Sequence, residues 1–165
     1  MGEAVIRKAN KDDFEQLSRL YAEFHEFHVC GVPDRLARSD SSRIADLRAA
    51  IQKIIAQENA AIFVAEVGGQ LVGLGEVYIR EDSPSPLKVQ HTYGHLQSMI
   101  VTEAYRGKGV GTRILKAVEQ WSKEKNAAEV RLDTWEFKAG PLVFYEKRGY
   151  STLRRTLVRK LSDAD

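Results

Sequence analysis

The chain has 165 residues, 43% hydrophobic and 29% charged, a balance that at this length supports a buried core without disulfides or a structural metal. Twenty-five Lys and Arg against 23 Asp and Glu leave a net charge of +2, too little to point to nucleic acid or a membrane surface as partner. The one cysteine, Cys30, excludes an internal disulfide and a four-cysteine zinc site, and no stretch approaches the roughly 20 apolar residues of a bilayer span.

Val5-Ile6-Arg7-Lys8 reads as a short first strand. Asn10, with Asp13 three residues on, has the pattern of an N-cap with an acidic partner. Phe14, Leu17, Tyr21, Phe24 and Phe27 then recur at helical spacing, predicting a helix over 11–28 that Gly31-Val32-Pro33 stops. The polar stretch Ser39 to Ser42 precedes a second helix carrying Ile44, Leu47, Ile51, Ile54 and Ile55. Ala61 to Ala65 is a buried strand, Gly68-Gly69 a hairpin turn, and Leu71 to Ile79 the return strand. After a loop with Pro84 and Pro86, Tyr93 to Val101 forms another strand. A glycine-rich turn leads into a helix with Val110, Ile114, Val118 and Trp121 on one face. Val130 to Thr134 is a strand, Pro141 to Lys147 a short helix, and Tyr150 to Leu161 a last strand. The order predicts a mixed α/β (α+β) fold, mostly antiparallel with one βαβ-like unit, as a single domain over 1–165. Met1-Gly2-Glu3-Ala4 lacks the basic-then-apolar order of a secretory leader, so a cytoplasmic location is the expectation.

Residues 106–111, Arg-Gly-Lys-Gly-Val-Gly, follow an apolar strand and open an amphipathic helix. Glycines there permit positive φ and leave the backbone open to a ligand. The first-turn N–H groups and the helix dipole then form an anion site suited to a pyrophosphate, with Arg106 and Lys108 adding full charges. The turn lacks the Gly-x-x-x-x-Gly-Lys-Ser/Thr spacing of a P-loop. The Rossmann pattern finds Thr112 in place of its third glycine; Asp133 imitates its ribose acid, but the turn follows an antiparallel hairpin rather than a first parallel strand.

The remaining pattern, Arg106-x-x-Gly109-x-Gly111, within Met99 to Gly111, resembles the strand-to-helix motif of the GNAT superfamily of acetyl-CoA-dependent N-acetyltransferases. Phe144-Tyr145-Glu146-Lys147-Arg148-Gly149-Tyr150 resembles that family's C-terminal motif, and the order of elements is similar along nearly the whole chain. The resemblance implies a GNAT-type fold, a mostly antiparallel central sheet flanked by helices. It further implies direct transfer of acetyl from acetyl-CoA to a primary amine in a ternary complex, without a metal. A bulge would splay the strand ending in Val101 from its neighbour so that the pantetheine arm pairs with main-chain groups of Met99 and Val101, Ile100 lying between. The amides of Arg106, Gly107, Lys108, Gly109, Val110 and Gly111, with Thr112 next, would hold the pyrophosphate.

Such a reaction needs a donor for the oxygen that becomes negative, a route for the amine's proton, and an acid for the departing thiolate. The resemblance assigns the first to a backbone amide near Ile100 or Val101 and the last to Tyr145. For the amine's proton, His95, Glu76 and water remain open. The family often has Asn seven residues before the tyrosine; here Lys138 stands there and is expected to reach a CoA phosphate instead. His25, His28 and Cys30 lie close in sequence without an evident third and fourth metal ligand. They read as the solvent side of the first helix or the wall of the acceptor pocket. Trp135, Glu136 and Asp133 are further candidates for that pocket. Arg154, Arg155, Arg159 and Lys160 read as a solvated edge rather than an RNA surface, with no aromatic residues interleaved. A homodimer is common in the family, and a CoA-binding sensor without turnover is the alternative from another class.

Overall fold

The structure, a computed structural model, describes residues 2–38 and 44–161. Five strands form one sheet in sequence order: β1 (Val5–Lys8), β2 (Ala60–Val67), β3 (Gln70–Glu81), β4 (Thr92–Val101) and β5 (Glu129–Arg131). The first four pair antiparallel, and β5 pairs parallel to β4. Helices α1 (Phe14–Gly31) and α2 (Ile44–Ala56) are followed by α3 (Val110–Glu124) and the short α4 (Leu142–Glu146). Ser39 to Ser42 lie outside the described residues. This is the mixed, mostly antiparallel sheet flanked by helices that the element order predicts.

Local chemistry fixes the short 3-10 turn, Lys11–Asp13, that leads into α1. The Asn10 side chain accepts from the Asp12 N–H at 2.8 Å, and Asp13 accepts from the Asn10 N–H at 2.8 Å, closing a capping box. Arg7 on β1 grips the Asp13 carboxylate through two nitrogens, at 2.7 and 2.8 Å. That pairing holds Asp13 below its ordinary carboxylate pKa and ties the first strand to the first helix.

Strand alternation divides the core between the two faces of the sheet. Phe14, Leu17 and Leu20 of α1 and Ile51 and Ile54 of α2 pack on Ile62, Val64, Leu74 and Ile100. On the other face, Ile114, Leu115, Val118 and Trp121 of α3 pack on Phe63, Val72, Val77, Leu96 and Val101.

The register of β3 against β4 places the site. Val77 lies opposite Leu96 but Glu76 lies opposite Ser98, so Gln97 is an extra residue on β4. Before it, Tyr93, Gly94 and His95 pair with β5; beyond it, Ser98 to Val101 have no neighbour there, because β5 ends at Arg131. Asp82 fixes β5 beside the first half of β4, accepting from two Arg131 nitrogens at 2.6 and 3.1 Å. The guanidinium holds the Asp82 carboxyl down to about 2.

Two expectations are corrected. The strand expected over Val130 to Thr134 stops at Arg131, because the chain there turns away from β4. The strand expected over Tyr150 to Leu161 is absent; 151–161 is exposed and unpaired, with Leu153, Leu157, Val158 and Leu161 at 71–89% exposure. Leu153, Leu157 and Leu161 would share one face of a strand with Arg155 and Arg159 between them, so the segment has no apolar face to bury; a strand also needs a partner edge, and three-residue β5 offers little.

Gly73 shows how closely the sheet and α3 meet. A Cβ there would lie 2.8 Å from the Ile100 carbonyl oxygen and 2.9 Å from Ile114 Cδ1. We expect Gly73→Ala to destabilise the protein by about 1–3 kcal/mol, read as a lower urea midpoint at unchanged slope; an unchanged midpoint would contradict this packing.

Candidate active site

Where β4 and β5 part, the gap opens into a cavity of about 410 Å³. Met99, Ile100 and Val101 form one side with Gln97, and Leu132, Asp133 and Thr134 stand across from them. The glycine turn closes one end, α4 contributes Phe144 and Tyr145, and α1 contributes Phe24, Phe27 and His28. The Thr102 N–H bonds to the Val72 carbonyl on β3. By the alternation of an antiparallel ladder, Val101 and Met99 therefore turn their main-chain groups towards the open gap.

At the glycine turn, Gly107 and Gly109 take left-handed backbone conformations, with φ of 73° and 80°. Gly109 is the N-cap of α3, and no side chain caps that helix, so first-turn N–H groups are left for solvent or a ligand. Gly111 is not in the left-handed region; a Cβ there would come within 3.2 Å of the Phe144 ring. The turn combines an open backbone with a helix N-terminus at the cavity wall.

The cations are arranged differently from the sequence expectation. Arg106 lines the cavity but its Nε donates to the Val101 carbonyl at 2.8 Å, and its guanidinium carbon lies 5.3 Å from the centre of the Phe27 ring. It braces the turn against β4 and α1. The exposed Lys108 places its Nζ 5.3 Å from the centre of the Tyr105 ring. Lys138 is exposed and outside the cavity lining. Arg148 does line it: Nε and one terminal nitrogen donate to Thr112 Oγ1 at 2.9 and 2.6 Å, and the other terminal nitrogen donates to the Phe144 carbonyl at 2.8 Å.

Tyr145 is 7% exposed and lines the cavity, between the rings of Phe144 and Tyr150. Its hydroxyl makes no hydrogen bond among the described residues, and burial raises its pKa, keeping the phenol protonated. Glu76 and His95 lie on the sheet face under α1, outside the cavity lining. Both Glu76 oxygens are occupied: Tyr21 donates to one at 2.9 Å and Tyr78 to the other at 2.6 Å. Burial first, and Arg80 second, lower the His95 pKa and favour its neutral form.

On α1, His28 packs between Phe24, Phe27 and Phe137 and bonds through Nδ1 to the Phe24 carbonyl at 2.8 Å. His25 bonds the Ala37 carbonyl and lies outside the cavity lining. The Cys30 thiol is exposed, and its bond to Glu26 pushes its pKa up, away from thiolate chemistry. Among the described residues no group of three or more His, Cys, Asp or Glu could hold a metal, and no helix is long and apolar enough to cross a membrane.

The fold thus gathers Met99, Ile100, Val101, Arg106, Gly107, Gly109, Gly111, Thr112 and Tyr145 around one cavity. Lys108, Val110, Lys138, Glu76 and His95 stand outside its lining. Sequence reasoning missed Gln97 and Arg148. Gln97 had a readable signal: Leu96 and Met99 both pack on the α3 side although three residues apart, which an unbroken strand forbids. Arg148 had none, because Thr112 is far from it in sequence.

Comparison with known proteins fits this geometry. The profile of the acetyltransferase (GNAT) family matches residues 14–150. An N-alpha-acetyltransferase of Sulfurisphaera tokodaii is 38% identical over 99 residues, covering 58% of this chain and 59% of that protein. A probable N-acetyltransferase, camello, of Xenopus tropicalis is 26% identical over 142 residues, 86% of this chain and 57% of that one. The match thus spans less than two thirds of either relative's length. Among solved structures, a mutant Bacillus halodurans protein superposes with a TM-score of 0.86 at 23% identity, covering 96% of this chain and 99% of the other. Aminoglycoside N-acetyltransferase AAC(6')-Iy in complex with CoA superposes with a TM-score of 0.69 at 19% identity, covering 96% and 100%. With its profile match over most of its length, the chain belongs to the GNAT acetyltransferase family.

Proposed function

We propose that the protein moves the acetyl group of acetyl-CoA directly onto a primary amine held in the same cavity. The observation that carries this is the continuity of the gap. One cavity joins an unpaired strand edge at Met99 to Val101, an uncapped helix N-terminus at the glycine turn, and the unbonded hydroxyl of Tyr145. Those features fit acetyl-CoA as cosubstrate: an amide-bearing arm along the strand edge, a pyrophosphate at the helix N-terminus, and a thioester near the bulge. The AAC(6')-Iy structure with a bisubstrate analogue, CoA-S-monomethyl-acetylneamine, supports a two-substrate arrangement in this fold.

The cosubstrate supplies an activated acyl carbon whose bond to sulfur breaks as the bond to nitrogen forms. This chain's residues do the rest. A backbone N–H of the bare β4 edge, which Met99 and Val101 turn towards the gap, bonds the thioester oxygen as negative charge builds on it. First-turn amides of α3 hold the phosphates, while Arg106 keeps the turn against β4. Tyr145, a phenol protonated at neutral pH whose pKa burial raises further, donates its proton to the departing sulfur. A primary amine arrives largely as ammonium at pH 7, so a base or water beside the acceptor must take a proton before nitrogen attacks.

Two variants test this reading, with phenethylamine, spermidine, kanamycin and a short peptide with a free N-terminus as acceptors. Gly109→Val places a β-branched residue at a φ of 80° where the backbone meets the phosphates. We expect a more than 100-fold loss of acetyl-CoA affinity by calorimetry; micromolar binding by a folded variant would remove the phosphate site from the turn.

Tyr145→Phe keeps the ring and removes the hydroxyl. If that hydroxyl protonates the leaving thiolate, kcat falls by about 10²–10⁴-fold. Acetyl-CoA Kd and the thermal melt should change little. An unchanged kcat with an unchanged melt would leave Tyr145 a packing residue.

A further inference from the structure

We infer that His28 is the base that takes the proton from the acceptor amine, an assignment that rests on the acetyltransfer reading. The cavity wall offers few groups able to do so. Its charged and titratable side chains are Tyr105, Arg106, Asp133, Tyr145 and Arg148, besides His28 itself. The two arginines are permanently protonated. Tyr145 is needed as the acid, and Tyr105 lies at the glycine-turn end, 5.3 Å below the Lys108 ammonium. That leaves Asp133 and His28.

His28 has the more specific preparation. Its Nδ1 lies 2.8 Å from the Phe24 carbonyl of its own helix. A carbonyl oxygen only accepts, so Nδ1 carries the proton and, in the neutral ring, the lone pair sits on Nε2. Nε2 has no partner among the described residues. Three aromatic rings, at 4.4 Å (Phe24), 5.3 Å (Phe27) and 6.2 Å (Phe137) between centroids, fix the ring plane. Phe137 is held in turn against Gly31, where an added Cβ would lie 2.6 Å from its ring. A hydrogen-bonded and packed imidazole with one free nitrogen is thereby placed on the cavity wall.

The placement also suits the direction of proton flow. His28 stands on the wall made by α1, and Tyr145 on the wall made by α4. A base on one side of the reacting carbon and an acid on the other let the amine lose its proton while the sulfur gains one. His28 Nε2 takes one proton from the ammonium and releases it to solvent; the neutral nitrogen then bonds the acyl carbon, the carbon–sulfur bond breaks, and sulfur receives the Tyr145 proton. The second N–H proton passes from nitrogen to His28 and on to the phenolate through solvent, which resets the site and leaves one proton released per turnover. Asp133, across the gap, serves as a counter-ion to the incoming ammonium.

The experiment measures kcat against pH for the wild type, His28→Gln, His28→Phe, His25→Gln and His95→Gln, with whichever panel amine is acetylated fastest. Protonated imidazole cannot accept a proton, so the wild-type kcat should fall on the acid side through one ionisation. His28→Phe keeps an aromatic ring against Phe24 and Phe137, which guards against a packing artefact. Both His28 variants should lose about 10²-fold or more in kcat and lose that acid-side ionisation. Their acetyl-CoA Kd should stay within about threefold, and His25→Gln should behave as wild type. A folded His28 variant with wild-type kcat and pH profile overturns the inference. So does a wild-type kcat with no acid-side fall, or loss of the ionisation in His95→Gln instead. A wild-type protein that binds acetyl-CoA yet acetylates none of the amines overturns the acetyltransfer reading itself, which separates the two failures.

Discussion

Backbone N–H and C=O groups in a sheet demand partners, and the site depends on where β4 is denied them. Gln97 is inserted into a strand that is otherwise in register with β3, and β5 ends after three residues. The second half of β4 therefore presents a bare edge inside the protein rather than at its rim. Among the described residues, one of its outward groups is satisfied by a side chain: the Val101 carbonyl accepts from Arg106. An edge of this kind invites an extended, amide-bearing ligand, for the reason that exposed edges elsewhere invite a strand. The sheet on either side is well fixed, by α3 packing on one face and by the Arg131–Asp82 pair beside the first half of β4. The gap is thus a built feature of a rigid frame.

Charge near the gap is arranged to leave the backbone free. Arg106 is spent on Val101 and the Phe27 ring, and Arg148 on Thr112 and the Phe144 carbonyl. Each cation stabilises the frame while still adding positive potential to the cavity in which we propose that phosphates bind. The directional donors there are main-chain amides, whose positions are set by Gly107 and Gly109 rather than by flexible side chains. Under α1, Tyr21 and Tyr78 neutralise the directional demand of the buried Glu76 carboxylate with two hydroxyl donors. Desolvation and Glu76 keep the Tyr21 phenol protonated, so the trio behaves as a settled structural network.

The features legible in the sequence were those encoded within one or two turns of chain. The capping box at Asn10 and Asp13, the helical spacing of Phe14 to Phe27, the Gly68-Gly69 hairpin and the glycine turn each carry their cause in adjacent residues. Contacts between distant segments were not legible. Arg106 reads as a phosphate ligand until α1 is folded against it, and Arg148 reads as motif filler until α4 lies beside Thr112. The β-forming residues Tyr150, Thr152, Thr156 and Val158 favour a strand locally, but strands are pairwise objects, and among the described residues no edge pairs with 151–161. Between these limits sits the bulge at Gln97: its break in alternation is local, while its consequence, the opening of β4 from β5, depends on where β5 stops.

The central claim is that the bare edge of β4 and the amides of the glycine turn are the binding surface for acetyl-CoA. Residue-resolved amide hydrogen exchange with and without acetyl-CoA tests it most directly. Bound cosubstrate should slow exchange at Met99, Val101 and the residues from Gly107 to Thr112, while amides of β1 and β2 keep their rates. Saturating acetyl-CoA that leaves the Met99 and Val101 amides unprotected, or that protects a surface away from the gap, would contradict the account.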